Sequence, residues 1–245
     1  MAKVASHPSR IWLDHYPLAS YLTATERKIE QETIPVTTFA DAGPRRLVGN
    51  YDHSGSHSGL FDAGSTTDLD PILQVLSNDS ADHYMLQTFG SASEGALGLD
   101  SVIRFKSRAF KSAVGAATLL SFEDEGSGAL IRSTVLRSAT VTGTGNGTGQ
   151  NLGATISGQQ LLVTYRILSI TGGAITMQIH ESSDNGAGDA YASIAALASG
   201  SLAAVGVTRV STTGATEAWK RVTISAMAAS SATILVSIGL VPNVA

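Results

Sequence analysis

Three Asp-His dipeptides are the residues of this chain best suited to chemistry: Asp14-His15, Asp52-His53 and Asp82-His83. His57 adds a further histidine near the second pair. Imidazole and carboxylate are metal ligands, and strand residues spaced by two or four share a face. His53 and His57 would therefore share one. The intervening Ser54-Gly55-Ser56 places no third ligand by spacing, so the run reads as a strand rich in small polar residues with surface or interface histidines. Gly55-Ser56-His57-Ser58-Gly59 has the outline of a nucleophile elbow. That motif needs serine at its centre and a strand-to-helix turn; here His57 is central and the run is extended. Gly143, Gly145, Gly147 and Gly149 lack the spacing of a phosphate cradle, and no helix follows them. Asn146-Gly147 is instead a hairpin-turn pair. No catalytic, cofactor or metal site is expected, and the chain reads as a non-enzyme.

Composition narrows the classes further. The 245 residues suffice for two modest domains or one large β domain. Hydrophobic residues are 43% and charged residues 15%, a sparse charge that suggests a surface partly covered by partners. The net charge of -4 does not suit a conventional DNA reader. Without cysteine there is neither a disulfide framework nor thiolate chemistry. The first residues hold no uninterrupted apolar core, so no secretory signal is expected. The glycosylation sequons Asn78-Asp79-Ser80 and Asn146-Gly147-Thr148 then carry no meaning. No apolar stretch approaches a membrane span. The 25 glycines, with many Ser, Thr and Ala, suit an all-β fold with one short helix.

These residues need elements to position them. Residues 1–137 carry 12 basic and 16 acidic side chains, whereas 138–245 carry four of each. Two domains are expected, 1–137 and 138–245, with Val141–Gly149 as the junction. In the first, Arg27–Phe39 and Asn50–Phe61 are extended runs separated by Gly43-Pro44. A helix is expected near 70–77, capped by Asp70, with Pro71 in its first turn and Ile72, Leu73, Val75 and Leu76 on its apolar face. Strands follow at 83–89, 101–110, 116–122 and 129–136, with Gly126-Ser127-Gly128 turning between the last two. In the second, 161–170 and 174–180 form a hairpin about Thr171-Gly172-Gly173. Later strands at 202–210, 217–224 and 232–241 suggest a β-sandwich or jelly roll. Trp12, Tyr16, Tyr21 and Trp219 read as core or interface anchors.

Two charge patterns remain. Arg104, Lys106 and Arg108 alternate and should project from one face of a strand. Such a stripe suits phosphates, or the acidic Glu123-Asp124-Glu125 of a neighbouring subunit. The overall acidity and the lack of interleaved aromatics favour subunit pairing. Arg45 and Arg46 follow Gly43-Pro44 and belong on a projecting turn.

Pro35-Val36-Thr37-Thr38-Phe39-Ala40-Asp41 is followed by Arg45-Arg46, Gly49, Gly59 and Leu60-Phe61-Asp62. This order of strand, basic loop and strand resembles the N-terminal part of the tail-tube (major tail) proteins of long-tailed bacteriophages. Ala40 stands where that family usually has glycine. The resemblance covers about residues 10–137. It implies a tail-tube-like β-sandwich or barrel, followed here by a second β-sandwich similar to those carried at the C-terminus of many phage tail proteins. It further implies stacked homo-hexameric rings whose inner strands close one barrel, other tail proteins at the tube ends, and DNA passing through the lumen without specific binding. The place of such a protein is the virion tail, after synthesis in the bacterial host cytoplasm. The C-terminal part would then be an outer appendage. A capsid or tail decoration protein, and a carbohydrate-binding β-sandwich module, are the alternative readings.

Overall fold

The computed structural model describes residues 9–35, 46–61, 68–112 and 117–241. In chain order its first strands are β1 (Arg10–Leu13), β2 (Tyr16–Pro17), β3 (Leu22–Pro35) and β4 (Arg46–Leu60). The helix α1 (Leu69–Ser77) follows, then β5 (His83–Thr88), β6 (Leu97–Lys111), β7 (Leu119–Gly126) and β8 (Ile131–Val141). Short β9 (Gly145–Asn146) and β10 (Gln150–Asn151) precede β11 (Leu161–Thr171) and β12 (Ile175–Ser182). The chain ends with β13 (Ala192–Ser193), β14 (Ser201–Leu202), β15 (Gly206–Thr212), β16 (Trp219–Met227) and β17 (Ser231–Leu240). The protein is mainly β, as its composition requires.

The chain divides into two compact units that do not follow the charge shift near residue 138. One gathers residues 9–19, 84–101 and 129–241; the other lies within 20–83 and 102–128. The reason is β8. It runs through residue 138 as one strand and pairs with β17 from Arg132↔Leu240 to Val141↔Ala232. A boundary there would cut a ladder in its middle.

The larger unit is a β-sandwich. One sheet has the order β15-β11-β17-β8-β6-β5-β1-β2, and the second has β10-β16-β12-β13 with β14 and β9 beside it. Alternation builds the core between them: Val163, Tyr165 and Ile167 of β11, Ile234, Val236 and Ile238 of β17, Met177 and Ile179 of β12, and Val222 and Ile224 of β16. Trp12 is a core residue, packed in a separate cluster with Leu86, Val135 and Leu235. The expected hairpin at Thr171-Gly172-Gly173 is not one, because β11 and β12 belong to different sheets. Gly172 and Gly173 take φ values of 61° and 72° to carry the chain across. A Cβ on Gly173 would lie 2.5 Å from the Ala228 carbonyl oxygen, so only glycine fits. Asn146-Gly147 likewise forms no hairpin turn; Asn146 pairs with Thr223 at the side of β16.

The smaller unit is a sheet of β3, β4, β7 and the second half of β6, with α1. The helix begins one residue before the expected start. Asp68 is its N-cap, so Asp70 falls in the first turn and pairs with Arg108 at 3.2 Å. Leu69, Ile72, Leu73 and Leu76 make the buried stripe, and Val75 is 67% exposed on the far side. The strand β3 is antiparallel to β4 over most of its length, from Leu22↔Gly59 to Pro35↔Arg46. Gly59 is dictated by this pairing: a Cβ there would sit 2.2 Å from the Tyr21 carbonyl oxygen.

Because β8 lies between β17 and β6, residues 141–241 are part of the larger unit's fabric. Deleting them should abolish cooperative thermal unfolding and drive the remainder into aggregates, measured by circular dichroism and sedimentation. A soluble truncated chain with a sharp transition would restore the reading of the C-terminal part as a separable appendage.

Candidate assembly surface

The sheet of the smaller unit has two chemically different faces. Its buried face holds a polar network shared by three strands. The Arg27 guanidinium of β3 donates to Asp124 Oδ1 of β7 at 3.0 Å. His57 Nε2 of β4 donates to Asp124 Oδ2 at 2.8 Å. A carboxylate only accepts, so Nε2 carries the proton, and Nδ1 shares a hydrogen bond with the Thr25 hydroxyl at 2.8 Å. His53 donates from Nε2 to the Gly128 carbonyl at 3.1 Å, and Arg27 reaches its Nδ1 at 3.3 Å. Burial pushes the His53 imidazole below its ordinary pKa, outweighing the Gly128 bond that favours its charged form.

Glycine makes room for these groups. A Cβ at Gly55 would lie 2.3 Å from Asp124 Oδ2 and 2.7 Å from His57 Nε2. A Cβ at Gly126 would lie 2.7 Å from His53 Nε2. The alternation His53, Gly55, His57, Gly59 is thus one face of β4, on which glycine and histidine take turns. The histidines expected at a surface or interface are both buried.

Thr25, His57 and Asp124 stand in the hydroxyl–imidazole–carboxylate order of a nucleophilic triad. The setting is structural. Arg27 already compensates the carboxylate, both residues of the His-Asp pair are buried, and the Phe122 ring stacks on His57 at 4.6 Å. No group of metal-ligating side chains gathers among the described residues.

The opposite face is exposed and finely mixed in charge. Glu26, Lys28, Ser54, Ser56, Lys106 and Glu123 line a shallow groove there. Lys28 pairs with Glu30 on the same strand. Among the described residues β3 pairs with β4 alone, so one edge of a 14-residue strand has no partner strand.

The residues singled out by charge pattern are placed variously. Arg45 lies outside the described residues, as do Gly43 and Pro44. Arg46 opens β4 opposite Pro35. Arg104, Lys106 and Arg108 do not form one stripe, because a bulge between Phe105 and Ser107 interrupts the alternation. Arg104 is exposed and bonds Asp82 at 2.8 Å. Lys106 sits at the bulge. Arg108 is thrown to the buried face, opposite Phe122, where it pairs with Asp70. Glu123 and Glu125 stay exposed, and Glu123 accepts the Ser107 hydroxyl at 3.1 Å. Asp124 is 1% exposed and is consumed inside the chain, so it is not free for a neighbouring subunit.

No family model matches the sequence, and no curated protein matches it. Several solved structures are similar. A chain from the virion of a native gene transfer agent particle shares 18% identity at a TM-score of 0.44, over 54% of this chain and 98% of its own. A chain from the tail of an empty gene transfer agent particle, treated with C6 symmetry, shares 18% identity at 0.38, over 45% of this chain and 80% of its own. The Dit protein of phage SPP1 shares 10% identity at 0.37, over 98% of this chain and 100% of its own.

Two outcomes follow from the buried network. Asp124→Ala should cost about 3–5 kcal/mol in urea unfolding, because the buried Arg27 guanidinium loses the carboxylate that compensates it. The double change Arg27→Met with Asp124→Leu should recover a large part of that loss, and equal losses in both would remove the ion pair as the cause. For His53, the folded pKa lies below the unfolded one, so the unfolded chain binds the extra proton. Stability is full above about pH 6.5 and falls as pH drops below it. His53→Gln should flatten that fall in the urea midpoint. His15 and His180, also lowered chiefly by burial, keep part of the slope.

Proposed function

We propose that this chain is a structural subunit of a phage-type tail, assembling through its smaller unit into stacked rings around a channel for DNA. The observation that carries this reading is the edge of β3 that has no partner strand among the described residues, on a long strand whose sheet already buries one face on a polar network. An unpaired edge of this length is a template for another strand, and pairing around a closed ring removes it. The other face of the sheet suits a channel wall. It offers serine, glycine and interspersed charges of both signs, with no continuous basic surface to hold phosphates. The order Pro35–Asp41, Arg45-Arg46, Gly59, Leu60-Phe61-Asp62 supports the tail-tube assignment by its resemblance to that family. Six subunits per ring is the number the resemblance implies. Arg45 and Arg46 on one side of a ring, facing Glu123 and Glu125 of the next, would set the register of stacking. Each exposed pair contributes only about 0.2–1 kcal/mol, summed around the ring and weakened by salt.

Ile29 tests the edge directly. It is 52% exposed on β3, so replacing it leaves the core intact. Concentrated wild-type protein should form tubes or rings in negative-stain micrographs. Ile29→Lys should give folded subunits by circular dichroism with tubes shortened or absent. Wild-type protein that stays monomeric at high concentration would sink the reading, and normal tubes from Ile29→Lys would remove the β3 edge from it.

A further inference from the structure

The larger unit carries a second feature that assembly does not use. At one end of its sandwich the two sheets part around a cleft of about 400 Å³, within reach of a small ligand. Its walls are Leu97 of β6, Leu152 after β10, Leu161 of β11 and Leu240 of β17. Leu97 is 50% exposed and Leu240 is partly exposed, so apolar surface is offered to solvent at the mouth. Lys220 of β16 lines the same cleft and is fully buried. It alternates with Val222 and Ile224, both core residues, so its side chain enters the sandwich interior. Its ammonium donates to the Glu217 and Gly153 carbonyls. An ammonium has three donors, so one remains for a ligand. Arg132 of β8, exposed at the rim, is a second cation. No carboxylate lines the cleft; Glu181 and Glu217 act on Lys220 from outside the lining.

We infer that this cleft binds an organic carboxylate carried on a compact apolar body, with the anionic oxygen on Lys220 and the apolar body between the leucines. The carboxylates that attract this ammonium, Glu181 and Glu217, lie outside the lining, so its remaining donor meets no anion within the cleft, and a ligand carboxylate supplies one. The apolar walls are the complement of a branched or short aliphatic group. Arg132 at the rim favours approach of an anion over a cation or a neutral amide.

The test uses the full-length protein and N-acetyl-leucine as the probe, with N-acetyl-leucinamide as its uncharged counterpart. Binding is followed by calorimetry and by the fluorescence of Trp219, next to Lys220. N-acetyl-leucine should bind, and the amide should bind about tenfold more weakly or not at all. Lys220→Met should abolish that preference. It should also fold, since methionine keeps the apolar length of the buried stem, and thermal unfolding checks this. Arg132→Gln, at an exposed position, should weaken the carboxylate by a smaller factor and leave the melting temperature unchanged. Absence of binding up to about 10 mM overturns the proposal. So does equal affinity for acid and amide, or an acid preference that survives in folded Lys220→Met.

Discussion

A buried carboxylate, Asp124, is the constraint on which the smaller unit depends. A carboxylate removed from water is strongly destabilising unless it is paired and hydrogen-bonded. Here the compensation comes from two other strands, Arg27 of β3 and His57 of β4. The three groups meet only if Arg27, Gly55 and Asp124 stand level across the sheet, and the register places Arg27 opposite Gly55 and Gly55 opposite Asp124. A slip of one residue would turn the arginine to solvent and leave the carboxylate unpaired. The network therefore selects one register for a strand pair whose exposed face, made of serines and alternating charges, specifies register only weakly. Gly55 is part of the same device, since any side chain there would occupy the space of the carboxylate.

The larger unit uses the same physics at a different place. Asp100 of β6 is buried, and burial alone would raise its pKa. The guanidinium groups of Arg166 and Arg209 and the Ser237 hydroxyl together hold it below the usual carboxylate range. Ser237 donates to Asp100 Oδ2 at 2.6 Å, and Arg166 reaches both carboxylate oxygens at 3.2 and 3.4 Å. Arg209 is held from behind by the Tyr84 ring at 4.7 Å and by the Thr164 hydroxyl at 3.0 Å. Four strands, β6, β11, β15 and β17, are fixed in one arrangement by one anion. Apolar alternation decides which residues face the other sheet. The ionic cluster decides how the strands line up on the opposite face.

Local pattern made the strands and the helix legible in the sequence. Local pattern placed the long strands to within about five residues over the described residues, residues 36–39 of the expected run Arg27–Phe39 lying outside them, and the run Ile72, Leu73, Leu76 marked the helix. Pairing was much less legible. Gly172-Gly173 has the composition of a hairpin turn, and only the sheet assignment of its flanking strands shows that it is a crossing. The stripe Arg104, Lys106, Arg108 failed because a bulge at Lys106 is invisible to a two-residue period. The site residues that matter most were missed for two reasons. Asp124 was read with Glu123 and Glu125 as one acidic turn, although its alternation with buried Phe122 and Leu120 places it on the inner face. Asp100, Arg166 and Ser237 are separated by 66 and 137 positions from carboxylate to partner, and no spacing rule spans that distance. The one local signal was the glycine–histidine alternation from His53 to Gly59. Glycine beside a large polar residue on a strand's inner face marks where another side chain must cross.

In the proposed assembly, the edge of β3 that has no partner strand among the described residues has to be both available and safe. A bare, flat, apolar edge pairs with anything extended and leads to aggregation. This edge is different in kind. Its solvent-side residues Glu26, Lys28 and Glu30 alternate in sign, and its register with β4 is broken near Leu22 and near Gln31. Charges and bulges of this sort reject strands that lack a matching pattern. An incoming strand must present complementary charges at the same spacing and follow the same twist. A second copy of this sheet is built with that twist and with charges of both signs on the same face. The buried network makes the selection sharper, because Arg27 cannot leave Asp124 to accommodate a strand of different register. The interaction that holds the hairpin in place therefore also restricts what can be added to it.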